Sequence, residues 1–398
     1  MSLMSRKELL ILLTLAFVQF SNILDAMIMM PLAPTFKDVF DIDTRHFGWL
    51  VSSFGLAAGC SAFFSTFWAD KFDRKKILII LYIGFILGTF FCAISPTYNI
   101  LLISRIFTGL FGGVCGSVIL AIVGDIIPNE RRGQAMGIVM VGFALASIVG
   151  VPLGLVIANA FNWQMPFYVI CALGFIILMC IILIVPNVTK HILQESKSNT
   201  LGFYKTIFTN SNMRIALLLP IVMVVGHMAI IPYITDYSVN NLKFSIKTEV
   251  PPMYLIGGIL SVITSPIIGK LADRFGRYKI FTVLSCLAIV PLYLIPNLES
   301  HNLLYFYFAS SLFFVGSGGR MIPVQAIVTS AVLPQYRGSF MGLNAALQQF
   351  TLGIITLAGG FIITNNDKGE LQNYPIVGYI AICATLLTLV IAKRVKAV

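Results

Sequence analysis

Twelve apolar runs of about twenty residues, separated by short charged segments, dominate this sequence. They fall at roughly 9–31, 47–68, 77–95, 99–124, 134–158, 164–185, 213–238, 252–271, 280–296, 304–332, 339–364 and 376–392. A helix of that length spans a hydrocarbon core about 30 Å thick. Lipid offers no partner to a backbone N–H or C=O, so each run must satisfy its own backbone by coiling. The predicted class is therefore an all-α membrane protein with twelve transmembrane helices. Composition agrees: 58% of the 398 residues are apolar and 11% charged, against about 25% charge in soluble domains. A disordered chain, a collagen-like repeat and a disulfide scaffold are excluded by the same figures.

The N-terminus, Arg6-Lys7 followed by apolar residues from Leu9, imitates a signal peptide. It continues through Gln19, Asn22 and Asp25 to Pro31 with no A-x-A cleavage site, and so reads as the first span. The seven cysteines all lie in apolar stretches with no C-x-x-C or Cys/His ligand spacing. No metal or other cofactor is expected.

The net charge of +11 resembles a nucleic-acid signal until the charges are placed. Basic residues collect in cytoplasmic loops of membrane proteins and set orientation. With the N-terminus inside, twenty of the 27 Lys and Arg fall in cytoplasmic segments and five in external ones: Lys37, Arg45, Lys243, Lys247 and Lys368. Both termini are expected in the cytoplasm, and no nucleic-acid partner is implied. Two basic residues, Arg105 and Arg320, lie in no loop.

The longest polar interval, 186–212, carries Lys190, Glu195, Lys197 and Lys205 and splits the spans six and six. The expected organisation is an N-terminal six-helix bundle (1–185), a cytoplasmic linker (186–212) and a C-terminal six-helix bundle (213–398). The bundles echo one another. Ala69-Asp70-Lys71-Phe72-Asp73-Arg74 after span two returns 203 residues later as Ala272-Asp273-Arg274-Phe275-Gly276-Arg277 after span eight. A second echo links Pro128–Gly137 after span four with Pro334–Gly342 after span ten. Parallel repeats of this kind place a substrate site between two pseudo-symmetric halves and support alternating access.

On these residues the chain resembles the major facilitator superfamily, and within it the twelve-span drug and sugar proton antiporters. The loop signature G-x-L-A-D-R-x-G-R stands as Gly269-Lys270-Leu271-Ala272-Asp273-Arg274-Phe275-Gly276-Arg277. The first copy is degraded, with Thr66, Trp68 and Asp73 at the Gly, Leu and second Gly positions. The resemblance implies that Asp70, Arg74, Asp273, Arg274 and Arg277 latch neighbouring helices in one conformation, while the same basic loops would hold topology regardless. Because Asp73 replaces a residue suited to φ > 0, the first copy is expected to lack the tight glycine turn. Gly142, Gly150, Pro152 and Gly154 in span five are similar to the G-x8-G-x-P-x-G motif of exporters, with Val151 as a departure. Close helix packing explains the glycines equally well, but not their full spacing.

Ionisable groups inside the hydrocarbon are expensive and point to function. Asp25 and Arg105 are expected ~15 Å and ~12 Å below the outer ends of spans one and four. A carboxylate facing a guanidinium suits proton coupling, and the resemblance implies proton and substrate binding for these positions. A static ion pair is the alternative. In the second half, His227 is the repeat counterpart of Asp25, within one residue, and could carry a proton or hold an anion. Arg320 follows Gly316-Ser317-Gly318-Gly319; it cannot shed its proton, so its roles are holding an anionic group or neutralising an acid. Asp236 reads as wetted at the outer end of span seven, near Tyr233. Gln19, Asn22, Tyr233, Gln325, Asn344 and Gln348 complete the candidate polar lining, with interhelical hydrogen bonding as the equal alternative.

The function expected from this reading is secondary active transport: proton-coupled export of a small organic molecule, with import or facilitated passage on the same fold as the alternative. A non-transporting receptor or scaffold would append a soluble domain, for which neither the ends nor the linker leave room. No H-E-x-x-H, G-x-S-x-G or P-loop is present, so neither an intramembrane enzyme nor direct use of ATP is expected. The expected partners are a small-molecule substrate, protons and the lipid bilayer. A monomer in the inner, or plasma, membrane is expected.

Overall fold

A computed structural model describes residues 4–128, 131–189, 206–207, 209–299, 301–333 and 337–396. Each of the twelve expected spans is a helix. The first six are α1 (Arg6–Ile28), α2 (Thr44–Ser65), α3 (Arg74–Ala93), α4 (Tyr98–Ile126), α5 (Arg132–Ala160) and α6 (Met165–Ile184). The second six are α7 (Ser211–Asn240), α8 (Val250–Phe275), α9 (Arg277–Asn297), α10 (Leu303–Ser330), α11 (Ser339–Ile362) and α12 (Tyr374–Arg394). A two-stranded hairpin, Thr364–Asn365 paired antiparallel with Leu371–Gln372, joins α11 to α12. Most of the expected linker lies outside the described residues, including Lys190, Glu195, Lys197 and Lys205.

Helix starts follow local chemistry. Ser5 and Glu8 form a reciprocal capping box at α1, while Thr97, Asn210 and Asn302 cap α4, α7 and α10 through their side chains. Each satisfies N–H groups that the first turn leaves without carbonyls.

Small residues set the packing, because lipid provides no hydrophobic drive between helices and close approach must supply the attraction. The halves meet along α2 and α11. A Cβ at Gly55 would lie 2.8 Å from Leu352, one at Gly59 2.8 Å from Phe350, and one at Gly353 2.7 Å from Leu56. Within the first half, Gly109 and Gly113 of α4 press on the α2 backbone at Phe54 and Ala58. In α5, Gly142, Gly150 and Gly154 all face α1, where added Cβ atoms would meet Ala16, Leu24 and Ile28 at 2.1, 2.9 and 2.6 Å. The full glycine spacing of span five is thus used to seat α5 on α1. A π-helical turn at Ala146–Gly150 precedes Pro152.

The two loop copies turn differently, as the sequence leads one to expect. Gly276 adopts φ +98°, whereas Asp73 has φ −58°. Asp73 is instead a cap: its Oδ1 accepts from the backbone N–H of Lys75 at 2.9 Å and of Val188 at 3.0 Å. Asp73→Gly, which restores the usual residue of the signature, should therefore destabilise the protein by about 1–2 kcal/mol. Gly276→Ala should cost about 1–3 kcal/mol through backbone strain. Thermal melts of the purified variants check both; an unchanged Asp73→Gly melt would contradict the capping role.

Helix α1 ends at Ile28, a buried turn follows, and a short helix Ala33–Phe40 continues toward the far end, opposite the termini. Helix α7 repeats this design: regular helix stops at Met228, turns through Ala229–Ile230 and resumes over Ile231–Asn240. The two tips meet. Lys37 Nζ reaches Asp236 Oδ2 at 2.9 Å and donates to Thr44 Oγ1 at 3.1 Å. Thr44 donates its hydroxyl to Asn365 Oδ1 at 2.6 Å, and Asn240 Nδ2 donates to Asp236 Oδ1 at 2.6 Å. Asn159 Nδ2 donates to the Ile246 carbonyl, and Arg45 lies 4.3 Å above the Phe361 ring. Every described hydrogen bond and ion pair between the halves lies at this far end, which is closed.

One expectation is corrected here. Asp236 is not wetted: it is 0% exposed because the Lys37 tip covers it. Tyr233 is equally buried; its hydroxyl donates to the Thr356 carbonyl and packs on Gly48 and Gly360, where α2 and α11 cross.

Candidate functional site

Asp25 sits one turn before α1 stops, and Arg105 is on the second turn of α4. Arg105 Nη1 meets Asp25 Oδ2 at 2.6 Å, with the two side chains 1% and 0% exposed. The other carboxylate oxygen accepts from Thr89 Oγ1 of α3 at 3.0 Å. The guanidinium carbon lies 4.6 Å above the Phe54 ring of α2, a cation–π contact on its face. Arg105 Nε has no partner among the described residues.

The pair tops a polar seam between α1 and α4. Gln19, Asn22 and Asp25 lie three residues apart on one stripe of α1. Gln19 is half-buried, with Oε1 3.8 Å from the Cβ position of Gly116. Asn22 Nδ2 donates to the Gly112 carbonyl at 3.0 Å. Asn22 thus works as an interhelical hydrogen bond, the alternative the sequence left open. The absence of side chains at Gly112 and Gly116 gives the amides access to the α4 backbone.

The second half does not reproduce this arrangement. Arg320 is 0% exposed, follows a π-helical turn at Phe314–Gly318, and donates from Nη1 to Thr385 Oγ1 of α12 at 2.9 Å. No carboxylate pairs with it among the described residues. The α7 position facing it is Gly226, whose added Cβ would lie 3.1 Å from Nη2. His227, the residue aligned with Asp25, stacks on Phe313 instead, with ring centroids 5.2 Å apart and planes 2° from parallel. Among the described residues, no hydrogen bond or ion pair joins the Asp25–Arg105 pair to His227 or Arg320.

The remaining candidates are dispersed. Asn344 is buried, Gln348 half-buried and Gln325 exposed. In the loops, Arg74 Nε pairs with Asp125 Oδ2 at 3.0 Å, and Arg277 Nη1 donates to the Ala326 carbonyl at 3.1 Å. Arg274 lies against the Phe275 ring at 5.2 Å. Asp273 is exposed without a partner among the described residues, and a Cβ at Gly269 would meet nothing within 4 Å. The side chains of Asp70 and Arg337 lie outside the description, as do residues 334–336. The surface groove between α3 and α4, lined by Phe91, Ile94, Pro96, Ile100, Ile103, Ser104 and Phe107, is almost wholly apolar and holds none of the candidates.

Sequence reading missed Thr89, Phe54 and the Lys37–Asp236 pair. A threonine in an apolar helix gives a weak signal, since its hydroxyl can bond its own i−4 carbonyl. A charge at a helix tip reads as solvated until the opposite half is placed over it.

Two six-helix halves with discontinuous first and seventh helices and buried intramembrane charges define a polytopic transporter fold. The sequence matches the description "Major Facilitator Superfamily" over residues 15–357 and again over 253–395, and the chain belongs to that superfamily: it is a membrane transporter and not an enzyme. One curated relative, the "Uncharacterized MFS-type transporter YceJ" of Bacillus subtilis (strain 168), is 24% identical over 369 residues, covering 89% of this chain and 90% of that protein. Among solved structures, a D-xylose–proton symporter superposes with a TM-score of 0.80 at 14% identity, covering 98% and 99% of the two chains. A point mutant of the nucleoside transporter NupG gives 0.73 at 16% identity over 98% of each chain. At these identities the structural likeness establishes the fold.

Proposed function

We propose that the protein is a proton-coupled secondary transporter that exports a small organic molecule. The observation carrying this reading is the fully buried Asp25–Arg105 pair beside the break in α1. The carboxylate is held by a guanidinium and one hydroxyl, so helix movement that separates Asp25 from Arg105 is the step at which a proton replaces the guanidinium as its partner. Discontinuous helices are where transporters bind substrate and coupling ions; α1 and α7 share this break at equivalent positions. The closed far end and the repeat symmetry support alternating access by a monomer. The excess of basic residues in the terminal-side loops supports termini in the cytoplasm and insertion in the inner membrane.

Export is the direction implied by the resemblance of the span-five glycines to the motif of exporters, beside their use in seating α5 on α1. Proton symport is the second reading, favoured by the fold likeness to a D-xylose–proton symporter. The sign of coupling separates them. Comparing metabolites of wild-type and deletion cells identifies a transported compound, whose uptake is then followed in everted membrane vesicles. Export by antiport predicts accumulation when the vesicle interior is made acidic, and loss of that dependence in Asp25→Asn. Accumulation driven only by the opposite gradient would establish symport, and full pH-gradient dependence in Asp25→Asn would remove Asp25 from the coupling step.

A further inference from the structure

The two halves treat their buried arginines differently. Arg105 has a carboxylate; Arg320, equally buried, has none among the described residues. Its Nη1 is held by Thr385, while Nε and Nη2 have no partner among the described residues. Those two atoms share one edge of the guanidinium. Their N–H bonds run parallel, the geometry with which arginine takes both oxygens of a carboxylate or phosphate. Thr385 fixes the plane of the fork and aims that edge.

The surroundings leave the counter-charge out. Gly226 faces the guanidinium from α7, and a Cβ there would lie 2.7 Å from Thr385 Oγ1 and 3.1 Å from Nη2, so no larger residue fits that position without displacement. Ser317, three residues before Arg320, also has a buried hydroxyl without a partner among the described residues. Both helices bearing these residues are irregular at this level: α7 breaks at Ala229–Ile230 and α10 carries its π-helical turn. Such turns concentrate at functional sites. Arginine cannot shed its proton, and a buried charge without a partner is far costlier than a paired one.

We propose that the Nε/Nη2 edge of Arg320 is an anion subsite and that the transported molecule carries a carboxylate or phosphate group. This inference rests on the transport reading above and supplies its substrate class. Neutral sugars and lipophilic cations leave the edge unpaired and are discriminated against.

The test uses full-length protein in nanodiscs at constant ionic strength. Binding is measured for matched probes: benzoate against benzamide, D-glucuronate against D-glucose, and phenyl phosphate against phenol. At least one anion should bind about tenfold or more tighter than its neutral mate, with the carboxylate and phosphate arms showing which oxyanion is preferred. The preference should vanish in Arg320→Gln. Thr385→Asp, which places a carboxylate beside Nη1, should raise the melting temperature without ligand and abolish the preference, while the neutral Thr385→Asn keeps it. If Arg320→Gln does not fold, the wild-type pairs and Thr385→Asp still decide. No anion preference in the wild type, or a preference that survives Arg320→Gln, overturns the subsite. The two readings fail separately: anion binding through Arg320 persists if Asp25 proves irrelevant to coupling, and coupling through Asp25 persists if Arg320 proves indifferent to anions.

Discussion

Arg105→Gln is expected to lower stability by about 3–5 kcal/mol, the cost of leaving one member of a buried pair unmatched. Asp25, 0% exposed and bonded through its side chain to Arg105 and Thr89, would remain as a carboxylate in hydrocarbon or be forced to take a proton. Asp25→Asn should be similarly damaging, because Arg105 cannot be neutralised. The double variant Asp25→Asn/Arg105→Gln removes both charges and should recover most of the lost stability, since neutral replacements of buried pairs are often no less stable. Proton-driven transport should not recover with it. Melting curves and vesicle transport on the four proteins form the test. A double variant as unstable as either single would show that the pair does not act as a unit; one that regains pH-driven transport would contradict the coupling role.

Lys37→Met should open the far end. The Lys37–Asp236 pair is the one described ion pair that crosses between the halves, and its side chains are 9% and 0% exposed. Losing it strands Asp236 within the interface, and a penalty of about 3 kcal/mol shifts the closed-to-open ratio about a hundredfold. The readout is alkylation of a cysteine placed at Thr356, which is buried beneath the junction, in protein freed of its native cysteines. Labelling by a membrane-impermeant maleimide should be slow in the parent and at least about tenfold faster with Lys37→Met. The exchange Lys37→Asp/Asp236→Lys should restore slow labelling. Equal rates in parent and Lys37→Met would show that glycine-mediated packing of α2 on α11 closes this end unaided.

The twelve helices were legible because lipid leaves a long apolar run one way to satisfy its backbone. The shared level of Asp25 and Arg105 was legible too, since both lie on regular helix and rise per residue is constant. What lay beyond reach depended on which faces meet. Pro31 marks the end of α1 just as Pro232 marks the break in α7, but neither proline tells that a second short helix continues each span and that the two tips meet. Asp236 reads as solvated because its partner is 199 residues away in the other half. Asn22 and Gln348 look alike in sequence, yet Asn22 bonds the α4 backbone. The substitution at Asp73 was readable as a lost glycine turn, but its gain, a cap shared between α3 and Val188 in the segment that follows α6, required that segment to be placed.

The central claim is that Asp25 is the carboxyl group that gains and loses a proton during transport. Infrared difference spectroscopy of the purified protein reports protonated carboxyl groups directly, and opening the far end with Lys37→Met/Asp236→Asn, which leaves no stranded carboxylate at the junction, exposes the site to titration. One component of the carboxylic-acid band that grows as pH falls should be lost when Asp25→Asn is added to that background. A spectrum unchanged by Asp25→Asn would contradict the claim, assigning the proton to another carboxyl group.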